Sequence, residues 1–133
     1  MEIDRIFLDA NILFSVAYGS VGLKTFWALQ REGRCVLVCS RFVVEEARRN
    51  LDSAKQLEAL ETYVSQTTIA PEADPQIPCP IDLPQKDIPV FMAAMKSNCN
   101  YLITGDRTHF GRYFGQIIMG VKICTPRDYL DSL

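Results

Sequence analysis

Short apolar runs alternating with helical patterns predict an α/β fold, a mostly parallel sheet with helices on both faces in three α/β/α layers. Three observations carry this reading. Five short aliphatic-rich runs of strand length are bounded by turn or capping residues. Most stretches between them place apolar residues at helical spacing. The chain has 133 residues, 48% of them apolar, and a mean hydropathy of +0.03. That suits one core and one domain over residues 1–133, with no internal repeat or linker.

Arg5 to Leu8 reads as a buried strand. Val21 to Glu32 spaces Leu23, Phe26, Trp27 and Leu29 as a helix does, so these aromatics are expected in the core, and Gly33 follows as a C-cap. Cys35 to Cys39 is short, continuously apolar and valine-rich, the second strand. Ser40 is an N-cap for a helix reaching Asn50, and Asp52 is the expected cap of a further helix carrying Leu57, Leu60 and Val64. Thr67 to Ala70 is a third strand. A loop with Pro71, Pro75, Pro78, Pro80 and Pro84 follows, an acidic connector. Asp87 is placed to cap a buried helix whose first turn tolerates Pro89. Tyr101 to Thr104 and Val121 to Cys124 complete five strands, and Pro126 starts a short terminal helix.

Composition narrows the function classes. No apolar run approaches the roughly 20 residues of a membrane span, and the first residues lack the basic start of a secretory signal. Both point to the cytoplasm, away from membranes. The five cysteines show no C-x-x-C spacing and only one histidine accompanies them, so they read as small buried apolar residues in a reducing compartment. Net charge is −2, yet no basic residue lies between Lys55 and Lys86, where Glu58, Glu61, Glu72, Asp74 and Asp82 fall. Outside that stretch 14 basic residues face 11 acids. Such a distribution is compatible with a phosphate backbone as partner.

Four acids stand where strand ends and helix starts converge in a doubly wound sheet: Asp9, Glu46, Asp87 and Asp106. Asp9 ends the first strand, Asp106 follows Tyr101-Leu102-Ile103-Thr104-Gly105, Glu46 lies in the helix after Ser40, and Asp87 opens a later helix. Converging carboxylates repel one another unless cations neutralise them, and clustered oxygens are what hard divalent ions require. This pattern points to metal-assisted attack on a phosphodiester.

The segments LDAN at 8–11, SRFVVEEARRNL at 40–51, KDIPVFMAAMKSNCNYLITGD at 86–106 and ICTPRDYL at 123–130 resemble, in order, a PIN domain. The resemblance covers almost the whole chain and implies a five-stranded parallel sheet and a magnesium- or manganese-dependent endoribonuclease. It is similar to the small toxins of the virulence-associated protein C group, which implies an antitoxin partner and, as in small relatives, a homodimer. The aromatic stretch Phe110 to Phe114 is a candidate contributor to such a dimer, or packs within its own chain. The resemblance places the metal-binding and catalytic acids on Asp9, Glu46, Asp87 and Asp106, with Asn11 and Thr104 as supporting hydrogen-bonding residues. Glu46 is preferred to Glu45 because the acid in such proteins precedes an apolar residue, here Ala47; Glu45 stays the alternative. Arg107, His109 and Arg41 are candidate contacts to substrate phosphate, or plain surface side chains. One departure stands out: many relatives carry Asp or Asn where this chain has Thr108, which leaves one-metal and two-metal chemistry both open.

Two other classes compete. A PIN-like fold used only to bind RNA or protein would need no turnover. A haloacid-dehalogenase-type phosphatase also uses an acid after the first strand, but it requires a second acid two residues on, where Asn11 stands. A receiver domain needs a phosphoacceptor after a middle strand, and the third strand ends in Ala70-Pro71.

Overall fold

The computed structural model describes residues 3–133. Its strands are β1 (Asp4–Leu8), β2 (Cys35–Ser40), β3 (Thr68–Ala70), β4 (Tyr101–Ile103), β5 (Ile117–Ile118) and β6 (Val121–Cys124). They form one sheet in the order β3-β2-β1-β4-β6-β5, parallel except for β5, which runs antiparallel to β6. The helices are α1 (Ala10–Tyr18), α2 (Lys24–Arg31), α3 (Arg41–Arg49), α4 (Ala54–Ser65), α5 (Ile88–Lys96), α6 (Arg107–Phe110) and α7 (Pro126–Asp131).

Both faces of the sheet are covered. Ile6, Phe7 and Leu8 point alternately to opposite faces, and all three are fully buried; Leu37, Val38 and Cys39 behave the same way. Phe26 and Trp27 sit in this core as expected, and Trp27 Nε1 donates to the Tyr63 carbonyl at 3.1 Å. Each such large side chain contributes about 1.5–3 kcal/mol through burial. The five cysteines are free thiols, four of them buried. No described helix is long and apolar enough to cross a membrane.

The elements depart from the sequence reading at three places. A sixth strand, β5, extends the sheet beyond the five expected, joined to β6 by Met119 and Gly120 with φ of 51° and 86°. Two consecutive positive φ values are what a two-residue type I′ hairpin turn demands. Helix α1 was not anticipated, because ANILFSVAY is apolar on most sides and carries little period. The cap of α4 is Ser53, whose hydroxyl accepts from Gln56 N at 3.1 Å, and not Asp52. Within the aromatic stretch Phe110 and Tyr113 are buried in their own chain, the second of the two expectations for that stretch.

One consequence of the strand order matters most. From β1 the chain moves outward to β2 and β3, then returns to place β4, β6 and β5 on the other side. The order therefore reverses between β1 and β4, and the crevice outside their carboxyl ends is where such sheets bind ligands.

Candidate metal centre

Asp9 directly follows β1, and its N–H donates to Ile103 O of β4 at 3.1 Å. Its side chain caps α1, with Oδ1 accepting from Ala10 N at 2.7 Å. The second oxygen, Oδ2, accepts from Thr104 Oγ1 at 2.8 Å and from Asn11 Nδ2 at 3.2 Å. Asn11 and Thr104 thus tie the two strand ends together. Asn11 Nδ2 also donates to Thr104 Oγ1, Asn11 Oδ1 accepts from Gly105 N at 2.8 Å, and Thr104 Oγ1 accepts from Asp106 N.

Asp106 caps the short α6 through Oδ1, which accepts from His109 N at 3.0 Å. Asp87 occupies the N-cap position of α5, and its carbonyl accepts from Val90 N and Phe91 N, but its carboxylate makes no capping bond. The expected side-chain cap is therefore not made; the carboxylate faces His109 and Asp106 instead. Glu46 lies one turn from the end of α3 and lines the same pocket. Glu45 is exposed and pairs with Arg48. Helix register explains the division, since adjacent residues point about 100° apart.

These four acids line one pocket of about 430 Å³ together with Ala10, Asn11, Phe14, Asn50 and Lys86. Their electrostatics show the strain of convergence. Burial, followed by the charges of Glu46 and Asp87, pushes the Asp9 carboxyl up to about 6 against the opposing hydrogen bonds of Thr104 and Ala10. Burial also raises Glu46, with Asp87 adding to it and Lys86 and Arg49 opposing. Asp87 is raised by burial first; His109 pulls it down and Asp106 pushes it up. Acids held above their ordinary range around one pocket form a site that a divalent cation relieves. The donor set of carboxylates with a neighbouring imidazole fits such an ion.

The candidate phosphate contacts divide. Arg41 is exposed at the start of α3, outside the pocket. Arg107 is exposed and lines a separate recess with Gly105, Phe114 and Thr125. His109 instead turns inward, its Nδ1 2.8 Å from Asp87 Oδ2 and 2.9 Å from Asp106 Oδ2. Thr108, where the resemblance departs, is exposed and lines another recess with His109 and Arg112. Sequence reasoning passed over Lys86, the cation at the pocket wall; its place directly before Asp87 was the available signal.

If Glu46 serves this centre and Glu45 does not, Glu46→Gln lowers divalent-ion affinity about tenfold. Glu45→Gln leaves that affinity unchanged and alters stability by less than about 1 kcal/mol, as an exposed pair should. Titration calorimetry of the two variants measures the first and thermal melts the second.

No family model matches the chain, and no curated protein matches it either. Among solved structures, the fold is similar to a chain in the crystal structure of VapBC2 from Rickettsia felis bound to a DNA fragment from their promoter. The TM-score is 0.63 at 15% identity, over 91% of this chain and 98% of that one. At this identity that likeness concerns the fold.

Proposed function

We propose that this chain is a PIN-type, Mg²⁺- or Mn²⁺-dependent endoribonuclease that hydrolyses RNA phosphodiester bonds, and that it is the toxin of a toxin–antitoxin pair. The observation that carries the reading is the meeting of Asp9, Glu46, Asp87 and Asp106 in one pocket at the switch point of the sheet, with three of their carboxyls raised. The fold likeness to a chain of VapBC2 and the ordered PIN-like motifs support the family and the antitoxin partner. RNA as substrate rests on the motifs. The cytoplasm, where such a substrate lies, is the location that accompanies this reading.

Asp9, Asp106, Asp87 and Glu46 would hold the metal. When bound, a divalent ion brings the pKa of water toward neutrality and offsets charge developing on phosphoryl oxygens. The protein's own part is to aim the acids. Thr104 and Asn11 fix Asp9 Oδ2, and the backbone N–H of His109 fixes Asp106 Oδ1. Lys86, at the pocket wall beside Glu46 and Asp87, is placed to meet an incoming phosphate. Phe14 gives the pocket an apolar side.

Incubation of the purified protein with total RNA, beside a single-stranded DNA control, tests the reading. Cleavage of RNA with Mg²⁺ or Mn²⁺, none in EDTA, and a loss of roughly 100-fold or more in Asp106→Asn is the expected outcome. A folded protein that binds RNA without cutting it under either metal would instead be a binding module.

A further inference from the structure

We infer that His109 is itself a metal ligand, so that the centre is a mixed nitrogen–oxygen site that selects Mn²⁺ and related transition ions over Mg²⁺. The inference rests on the metal-dependent reading above and deepens it. Asp87, Asp106 and His109 each offer one ligand atom, and the three atoms lie within 4.8 Å of one another. His109 Nδ1 is 2.8 Å and 2.9 Å from the two carboxylate oxygens. Adjacent ligands around an octahedral ion with bonds of about 2.1 Å stand about 3 Å apart, and the two nitrogen–oxygen distances match that spacing.

A second observation is independent of the acidic cluster. Asp87 Oδ2 and His109 Nδ1 are fully shielded from solvent, yet neither has a hydrogen-bond partner of acceptable geometry. The contact is short but misdirected for an N–H···O bond. Asp87 is only 6% exposed, so an oxygen is buried and aimed into the cluster with nothing directional to satisfy it. An ion between the three atoms satisfies both. The rival explanation, an imidazolium clamped between two carboxylates, would be expected to point its N–H at one of them.

Position supports the assignment. Thr108 and His109 both border the recess beside Arg112, but only His109 reaches the carboxylates of Asp87 and Asp106. His109 lies three residues after Asp106 on α6, and that spacing sets both side chains on one face. An imidazole in place of a carboxylate changes which ion fits. Mg²⁺ prefers an all-oxygen shell, whereas imidazole nitrogen favours first-row transition ions.

The test uses Mn²⁺ as probe on metal-stripped full-length protein, comparing parent, His109→Ala and His109→Gln. Electron spin echo spectroscopy reads nitrogen coupling to bound Mn²⁺, and calorimetry reads affinity for Mn²⁺ and Mg²⁺. Circular dichroism confirms that each variant is folded, and His109→Gln keeps the bulk and polarity that alanine removes from α6. Expected are a directly coordinated nitrogen signal in the parent that both variants lose, a roughly 10–100-fold fall in Mn²⁺ affinity, and a smaller fall for Mg²⁺. Mn²⁺ bound by the parent without nitrogen coupling, or bound more tightly once His109 is removed, overturns the inference in favour of the clamp and leaves the metal-dependent nuclease standing. A parent that binds neither ion overturns both.

Discussion

Asp9→Asn is expected to raise the unfolding temperature of the metal-free protein near neutral pH while abolishing RNA cleavage. Few substitutions of a buried polar residue should stabilise a fold, and the reason here is electrostatic. Burial of Asp9, reinforced by Glu46 and Asp87, lifts its carboxyl from 3.8 to about 6. A shift of about two units means that the ionised form destabilises the native chain by about 3 kcal/mol. Asparagine keeps the shape and one acceptor but cannot satisfy Ala10, Asn11 and Thr104 together, which costs about 1–2 kcal/mol. The net gain is about 1–2 kcal/mol, or several degrees in Tm.

The pH dependence fixes the sign. Between the unfolded value of 3.8 and the folded value of about 6 the native parent binds more protons than the unfolded chain, so its stability falls as pH rises through that window. The advantage of Asp9→Asn is therefore full above that range and fades as pH drops toward 4. Saturating Mn²⁺ reverses the order, since a ligand at 100 times its Kd adds about 2.7 kcal/mol to the parent alone. Melts in chelator and in Mn²⁺ across pH check this. A variant less stable than the parent in chelator at every pH, and equally responsive to metal, would mark Asp9 as an ordinary helix cap.

What the sequence disclosed follows from what each residue needs. Asp9 and Asp106 were legible because they end or follow apolar strands, and chain order then puts them at the sheet's carboxyl edge. The N-cap roles of Ser40 and the helical burial of Phe26 and Trp27 depend on neighbours a few residues away, and these too were readable. Features set by tertiary contact were not. Asp52 and Ser53 are both good caps in adjacent positions, and only the backbone path chose between them. Strand β5 has two residues, too few for any alternation, and its turn includes Met119, a residue with no preference for positive φ. His109 was legible as a candidate phosphate contact, but its place against two acids was not, because Asp87 reaches it from a different helix. The D-x-x-H spacing after β4 was the one local trace of it. Glu45 and Glu46 differ only by register, and burial of Ala47 and Val43 on the same helix sets that register.

Thr104→Val is expected to disable the centre without touching any acid. Thr104 is fully buried, and its hydroxyl makes three bonds: it donates to Asp9 Oδ2, and it accepts from Asn11 Nδ2 and from Asp106 N, each of the latter at 3.1 Å. Valine fills the same space but leaves Asp106 N without that acceptor and Asp9 Oδ2 with Asn11 Nδ2 as its one remaining donor, a cost of about 1–3 kcal/mol. The effect on the site is larger than the effect on the fold. The Thr104 bond is the strongest influence holding the Asp9 carboxyl down, so its loss raises that carboxyl further and sets protons in competition with a metal. It also frees Asp9 and Asp106 from their shared anchor, so the acids no longer hold one geometry. Divalent-ion affinity near neutral pH should fall roughly 10–100-fold, the usual effect of removing a hydrogen bond that orients a ligand. Thr104→Ser keeps the hydroxyl and gives up only a buried methyl, about 1 kcal/mol of stability, and should restore affinity to near the parent's. That pair of variants separates the hydroxyl from the packing. Equal metal affinity in parent and Thr104→Val, measured by calorimetry on folded protein, would show that Asp9 needs no such support.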